Sequence, residues 1–188
     1  MVSSVSIPVT AKLRSGFEDT SLFEENICAA AESGIAFLTL HPRTKVEGYK
    51  PPANWDLIRR AKNISKVPIV GNGDIITPAD AQKMLNETGC DSLMIGRGAV
   101  INPWIFHEIR GNVPKKRDIA AFVKEFCDNL PVTAKPRNHV NQLKQLSGFL
   151  FQRNKHLAER RMEMLRGSYA DGNDFLFQML PILREHWT

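Results

Sequence analysis

Residues 67–103 read VPIVGNGDIITPADAQKMLNETGCDSLMIGRGAVINP, and their pattern decides the fold. Two short apolar runs, Pro68-Ile69-Val70 and Ser92-Leu93-Met94-Ile95, each stop at glycine, the first at Gly71-Asn72-Gly73-Asp74 and the second at Gly96-Arg97-Gly98. A buried parallel strand reads this way when its C-terminal end opens into a loop. Between the runs, Thr77 and Pro78 mark a helix start and Gly89 marks its end. Two glycine-rich strand ends, one βα unit apart, make a seat for a phosphate. Glycine lets backbone N–H groups approach an anion, and Arg97 adds a bidentate cationic fork. Asn72 and Asp74 place polar groups beyond the strand ends, where parallel α/β folds bind ligands. Gly-Asn-Gly-Asp alone reads equally well as a tight turn; its pairing with Gly96-Arg97-Gly98 favours the site.

The flanking chain repeats the same unit. Residues 7–14, IPVTAKLR, read as a strand broken by Ser15-Gly16. Residues 20–33 carry Leu22, Phe23, Ile27, Ala30 and Ala31 at helical spacing, with Thr20 or Ser21 as N-cap and Gly34 as the stop. A second buried strand, residues 35–40, ends at His41-Pro42-Arg43-Thr44, and Trp55, Ile58 and Ala61 mark the helix after it. The third strand covers residues 68–75. The fourth covers 92–99 and is followed by Asn102 as N-cap, Pro103, Trp104, Ile105 and Ile109. Four βα units in residues 1–110 predict a parallel sheet with right-handed crossovers. In (β/α)8 barrels the phosphate site is often built from the loops after the last two strands, which is where residues 71–74 and 96–98 fall if these are strands seven and eight.

Beyond Gly111-Asn112-Val113-Pro114 strand signals stop. Apolar positions at Ile119, Phe122, Val123, Phe126 and Leu130, then Val140, Leu143, Leu146 and Leu150, then Leu157 and Leu165, then Phe175, Leu176, Met179 and Leu183 predict four helices, with residues 131–136 as a linker. The expected organisation is an α/β domain over residues 1–112 and an all-α helical bundle over 113–188. At 188 residues, 43% hydrophobic and 24% charged, the composition is that of a soluble globular protein. No apolar run approaches membrane-spanning length, and the first residues lack the basic and apolar regions of a signal peptide, so a cytoplasmic location is expected. Cys28, Cys90 and Cys127 lack Cys-x-x-Cys spacing and read as small buried apolar residues, not as a metal site or disulfide framework. The net charge of +5 lies wholly beyond residue 110, and residues 135–166 hold 8 Lys+Arg against 2 Asp+Glu. Such a bias reads as a solvated helix face or as a surface for a polyanion, RNA or DNA leading that class.

The ordered motifs Val9-Thr10-Ala11-Lys12-Leu13-Arg14, Leu38-Thr39-Leu40-His41-Pro42-Arg43-Thr44, Gly71-Asn72-Gly73-Asp74-Ile75, and Thr88 to Ala99 with Asn102-Pro103 resemble the flavin-dependent tRNA-dihydrouridine synthases. The segment His139 to Leu146 resembles that family's RNA-binding helical domain. The resemblance implies that Lys12 and His41 lie near the isoalloxazine ring of FMN, and that Asn72, Gly73, Asp74, Gly96 and Arg97 hold its ribityl chain and phosphate. NADPH is then the reductant and tRNA the partner. A lysine at a strand end can stabilise the negative charge that builds on a reduced flavin. His41 is placed to hydrogen-bond flavin or uracil, a satisfied strand-end histidine being its bland alternative. Arg43 is placed to meet uracil or a phosphate, with a surface salt bridge as its alternative. Lys144, Arg153 and Lys155 are the expected RNA contacts in the basic segment.

In that family four further βα units precede the equivalent of Ile7 and carry the cysteine that acts as general acid. None of the cysteines here sits in that motif, so the resemblance assigns no catalytic residue. It implies the second half of a barrel plus the helical domain, inactive alone. Inward-facing Val9, Leu38, Ile69 and Met94 are then expected to lack packing partners, and open half-barrel edges to drive self-association. A non-catalytic RNA-binding remnant and an FMN barrel acting on a small substrate are the rival readings; the basic tail argues against the second.

Overall fold

The computed structural model describes residues 2–113, 115–131 and 135–187. The chain divides into two compact units, Met1–Gly98 and Ala99–Thr188.

In the first unit a short 3-10 helix, Val2–Ser4, precedes β1 (Ala11–Arg14), α1 (Phe23–Glu32), β2 (Leu38–His41), α2 (Asp56–Ile64), β3 (Ile69–Asn72), α3 (Pro78–Thr88) and β4 (Ser92–Met94). The four strands form one sheet in the order β1-β2-β3-β4, every pair parallel. Helix α3 forms as its sequence dictates. Thr77 and Asp80 make a reciprocal capping box, Pro78 occupies the first turn, and Gly89 ends the helix at φ 66°. The strands are shorter than their apolar runs. Regular pairing begins at Ala11, preceded by one bond from Ala36 N–H to the Val9 carbonyl at 2.7 Å, with Ile7 71% exposed, and β4 stops at Met94 because helix α4 (Arg97–Ile101) begins three residues later.

Register fixes what each face carries. Lys12 pairs with Thr39, Arg14 with His41, Leu40 with Gly71, and Asn72 with Met94. With side chains alternating every residue, Leu13, Leu38, Leu40, Ile69 and Gly71 share one face. That face meets the helices: a Cβ on Gly71 would stand 2.8 Å from Met84 Sδ of α3 and 2.9 Å from Cys90 Sγ. Leu38, Leu40 and Ile69 are fully buried there, with Ile27, Ile58, Ala61, Ala81 and Met84 from α1–α3. The expectation that Leu38 and Ile69 point into a barrel interior is therefore corrected. The opposite face carries Lys12, Arg14, Thr39, His41, Val70, Asn72, Ser92 and Met94, and is mainly polar.

The second unit contains α5 (Ile105–Ile109), α6 (Ile119–Asp128), α7 (Pro136–Leu150), α8 (Lys155–Arg166) and α9 (Gly172–His186). Val123, Leu143, Leu150, Phe151, Leu157, Phe175, Met179 and Leu183 form its core. Side chains of Asp118, Asn154 and Asp171 cap α6, α8 and α9. The seam at Gly98/Ala99 precedes the change of sequence pattern at residue 112, because Val100 and Trp104 pack against this helical core. Of the expected linker, residues 132–134 lie outside the described residues. Among the described residues no helix is long and apolar enough to cross a membrane.

Candidate functional site

The polar face of the sheet and the loops at its C-terminal rim hold the candidate site. Lys12 is exposed on β1, and Arg14, two residues on, falls on the same side opposite His41 of β2. His41 is 6% exposed, and its Nδ1 is buried without a hydrogen-bond partner among the described residues. Burial, followed by the positive charges of Arg14, Arg43 and Lys12, pushes its pKa down to about 4, against the opposing pull of Asp74. The imidazole is neutral at pH 7.

The loop between β2 and α2 is anchored to the rim from within. Arg14 Nη1 donates to the carbonyls of Thr44 and Gly48 at 2.9 and 3.1 Å. These bonds hold the exposed Tyr49, whose ring lies 5.4 Å from the Arg14 guanidinium carbon and 5.0 Å from that of Arg97, with the His41 ring edge-on at 6.1 Å. Arg43, expected to meet substrate, is instead 1% exposed. Its Nη2 lies 2.5 Å from Asp74 Oδ2 and its Nε donates to the Lys50 carbonyl at 2.7 Å. A guanidinium taken out of water needs such partners, so Asp74, 31 residues away, sets its place.

The loop after β3 completes the rim. Asn72 Nδ2 donates to the Met94 carbonyl at 2.7 Å. Gly73 at φ 117° and Asp74 at φ 55° turn the chain in consecutive left-handed conformations, and Trp55 Nε1 donates to the Gly73 carbonyl at 3.1 Å. The Asp74 carboxylate is engaged internally: Oδ2 accepts from Ala53 N–H at 2.7 Å and from Arg43, and Oδ1 lies 3.5 Å from Arg97 Nη2. Arg97 itself keeps 43% of its side chain exposed. Beside it, a Cβ on Gly96 would meet nothing within 4 Å, whereas one on Gly98 would stand 2.1 Å from the Ile75 carbonyl oxygen.

The first unit thus brings Lys12, His41, Asn72, Gly73, Asp74, Gly96 and Arg97 to one rim. Sequence reasoning missed Arg14, Tyr49 and Trp55. Arg14 had a signal, since two-residue spacing from Lys12 on a strand fixes the shared face; Tyr49 and Trp55 had none beyond being aromatic residues in a polar, proline-rich loop. In the second unit Lys155 is exposed, while Lys144 and Arg153 are half-buried. Lys144 Nζ donates to the Gly167 carbonyl at 2.7 Å and stands over the Tyr169 ring, and Arg153 stands over Trp187.

Residues 1–173 match the dihydrouridine synthase family. The chain is 50% identical over 96 residues to a tRNA-dihydrouridine(16) synthase of Shewanella oneidensis, covering 51% of this chain and 30% of that protein. It is 39% identical over 153 residues to one of Neisseria meningitidis (77% and 46%) and 46% identical over 110 residues to one of Ralstonia nicotianae (58% and 34%). The chain therefore spans less than half the length of these relatives. With the rim of polar and glycine positions lying inside the matched residues, the chain belongs to the dihydrouridine synthase family.

Proposed function

We propose that this chain is the flavin-phosphate-binding and tRNA-binding portion of an enzyme that reduces uridine to dihydrouridine in tRNA, with FMN as cofactor and NADPH as reductant. Position 16, named in the relatives, is the proposed target. The four consecutive parallel βα units are read as the second half of a (β/α)8 barrel, and the helices beyond them as an RNA-binding bundle.

The observation that carries the reading is the convergence of Lys12, His41 and Asn72 on one polar sheet face with Arg97 at its rim. The residues fit the cofactor: His41 Nδ1 is buried with no hydrogen-bond partner among the described residues, Gly96 leaves open space beside an exposed guanidinium, and Gly73 removes a side chain from the rim. FMN, when bound, supplies the hydride for the uracil double bond. Lys12 contributes a fixed positive charge on the flavin side of the sheet. Neutral His41 orients by hydrogen bonding without adding charge, Asn72 holds the ends of β3 and β4 in register, and Arg97 binds the phosphate through its fork. Arg14 and Tyr49 line the same rim, where a planar base can rest against the ring.

Among the described residues of the first unit no thiol stands on this face to protonate the uracil. Cys90 lies on the helix side of the sheet, and Cys28 belongs to α1. We accordingly read the chain by itself as without turnover. Flavin fluorescence titration tests the binding: FMN is expected to be quenched by the chain and released about tenfold more readily by Arg97→Gln. No saturable quenching would overturn the reading, and so would dihydrouridine formation by the chain alone with FMN, NADPH and unmodified tRNA.

A further inference from the structure

We propose that Arg43 is a positioning residue for the phosphate-binding rim, acting through Asp74 on Arg97 and through the Lys50 carbonyl on Tyr49; the proposal rests on the flavin reading above. At 1% exposure Arg43 does not itself meet a ligand. Its fork instead reaches the two loops that do. Nη2 draws Asp74 inward at 2.5 Å, and the second Asp74 oxygen lies 3.5 Å from Arg97 Nη2. Nε takes the Lys50 carbonyl at 2.7 Å, immediately after Tyr49.

Packing alone does not account for a guanidinium here. An apolar side chain of like volume would fill the space without the cost of desolvating a charge, and Nη1 is buried with no partner among the described residues. What the charge does is hold a carboxylate at a backbone position, φ 55°, that aspartate seldom adopts. Asp74 then stands where it receives the Ala53 N–H at 2.7 Å and also faces Arg97. One buried group thereby fixes an exposed cation and an exposed aromatic ring whose centroid lies 5.0 Å from that cation's guanidinium carbon.

The test is a double-mutant cycle on FMN affinity in the full chain with Arg43→Lys, Arg97→Gln and the pair. Arg43→Lys keeps the charge and loses the fork. It is expected to weaken FMN about tenfold when Arg97 is present and less than about twofold when it is absent, because residues in one chain of contacts couple. Equal weakening in both backgrounds, as a general packing defect gives, would overturn the proposal. Amide hydrogen exchange supplies a readout without flavin. In Arg43→Lys, or in Asp74→Asn should that variant not fold, residues 45–53 and 73–76 are expected to exchange faster while α1 and α3 are unchanged. Unchanged loops, or equal acceleration throughout, refute the Arg43 role; a wild-type chain that takes up no FMN refutes the flavin reading instead, with the exchange result still deciding the clamp.

Discussion

The Asn72 side-chain amide donates to the Met94 carbonyl at 2.7 Å, and these two residues are also register partners across β3 and β4. The brace sits at the last rung of the ladder, where both strands open into glycine-rich loops. Asn72→Ala is expected to lower stability by about 1 kcal/mol, the net value of one such bond. Asn72→Asp is expected to lower it further at pH 7, since a carboxylate then faces a carbonyl oxygen. Urea denaturation of the three proteins checks the order, and equal midpoints would show that the brace contributes nothing.

Gly96 and Gly98 stand two residues apart but answer to different constraints. A methyl group at Gly98 meets the Ile75 carbonyl oxygen at 2.1 Å, so Gly98→Ala is expected to destabilise the fold by about 2 kcal/mol or more. Gly96→Ala meets nothing within 4 Å and is expected to stay within about 0.5 kcal/mol of wild type while weakening FMN. Thermal melts paired with flavin titration separate the two effects. An Ala at Gly96 that binds FMN normally would move the phosphate away from this turn.

His41 gives the chain a pH signature. Its folded pKa is pushed down to about 4 from an ordinary 6.5, so between those values the unfolded state binds more protons than the folded one. The stability that His41 contributes is complete above pH 6.5 and is lost as the pH falls toward 4. His41→Gln should flatten the dependence of the unfolding midpoint across that interval and leave the more acidic limb, where Asp80 and Asp91 with lowered pKa titrate, in place. A variant that keeps the wild-type slope between pH 4 and 6.5 would show that another group is responsible.

The elements were legible because their signals are local. Thr77, Pro78 and Gly89 bound α3 in the sequence as they do in the structure, whereas β3 runs through Gly71 to Asn72 and β4 stops at Met94, two residues before Gly96. Face assignment was not legible in the same way. A continuous apolar run such as Pro68-Ile69-Val70 has no alternation to read, so the side of the sheet that Ile69 occupies depends on Met84 and Cys90, which follow it in the chain. Arg43 fails for a related reason. Its partner Asp74 belongs to the next βα unit, and no spacing rule links a residue after β2 with one after β3. The RNA candidates were picked by charge alone, which does not distinguish exposed Lys155 from Lys144 bound to the Gly167 carbonyl.

That difference separates two lysines experimentally. If the helical unit binds tRNA, Lys155→Gln should reduce the slope of log affinity against log salt by about 0.9 with the melting temperature unchanged, as for one lost phosphate contact. Lys144→Gln, which removes the bond to Gly167 and the contact with Tyr169, should lower the melting temperature. Filter binding over a salt series, with melts alongside, decides the matter. A slope unmoved by Lys155→Gln would place the RNA face elsewhere.

Self-association should follow the flank of β1 and not the open sheet face. That face carries exposed Lys12 and half-buried Arg14 and Asn72, polar groups that keep contact with water and give two copies little reason to join. β4, at the other edge, is only three residues long, and very short edge strands are poor templates. β1 is different: it is an edge strand flanked by Ile7 at 71% exposure, and at its C-terminal end by Phe17, Leu22 and Val46 at 68, 63 and 66%. The Val46 N–H bond to the Phe17 carbonyl, 3.0 Å, places these two exposed apolar residues on adjoining loops past the C-terminal end of the unpaired strand. The expected outcome is a concentration-dependent dimer that Phe17→Ser shifts toward monomer while Met94→Ser, on the polar face, does not. Light scattering after size exclusion across a range of concentrations reads this directly; a wild-type chain that stays monomeric and melts cooperatively at every concentration would show that the β1 edge is protected without a partner.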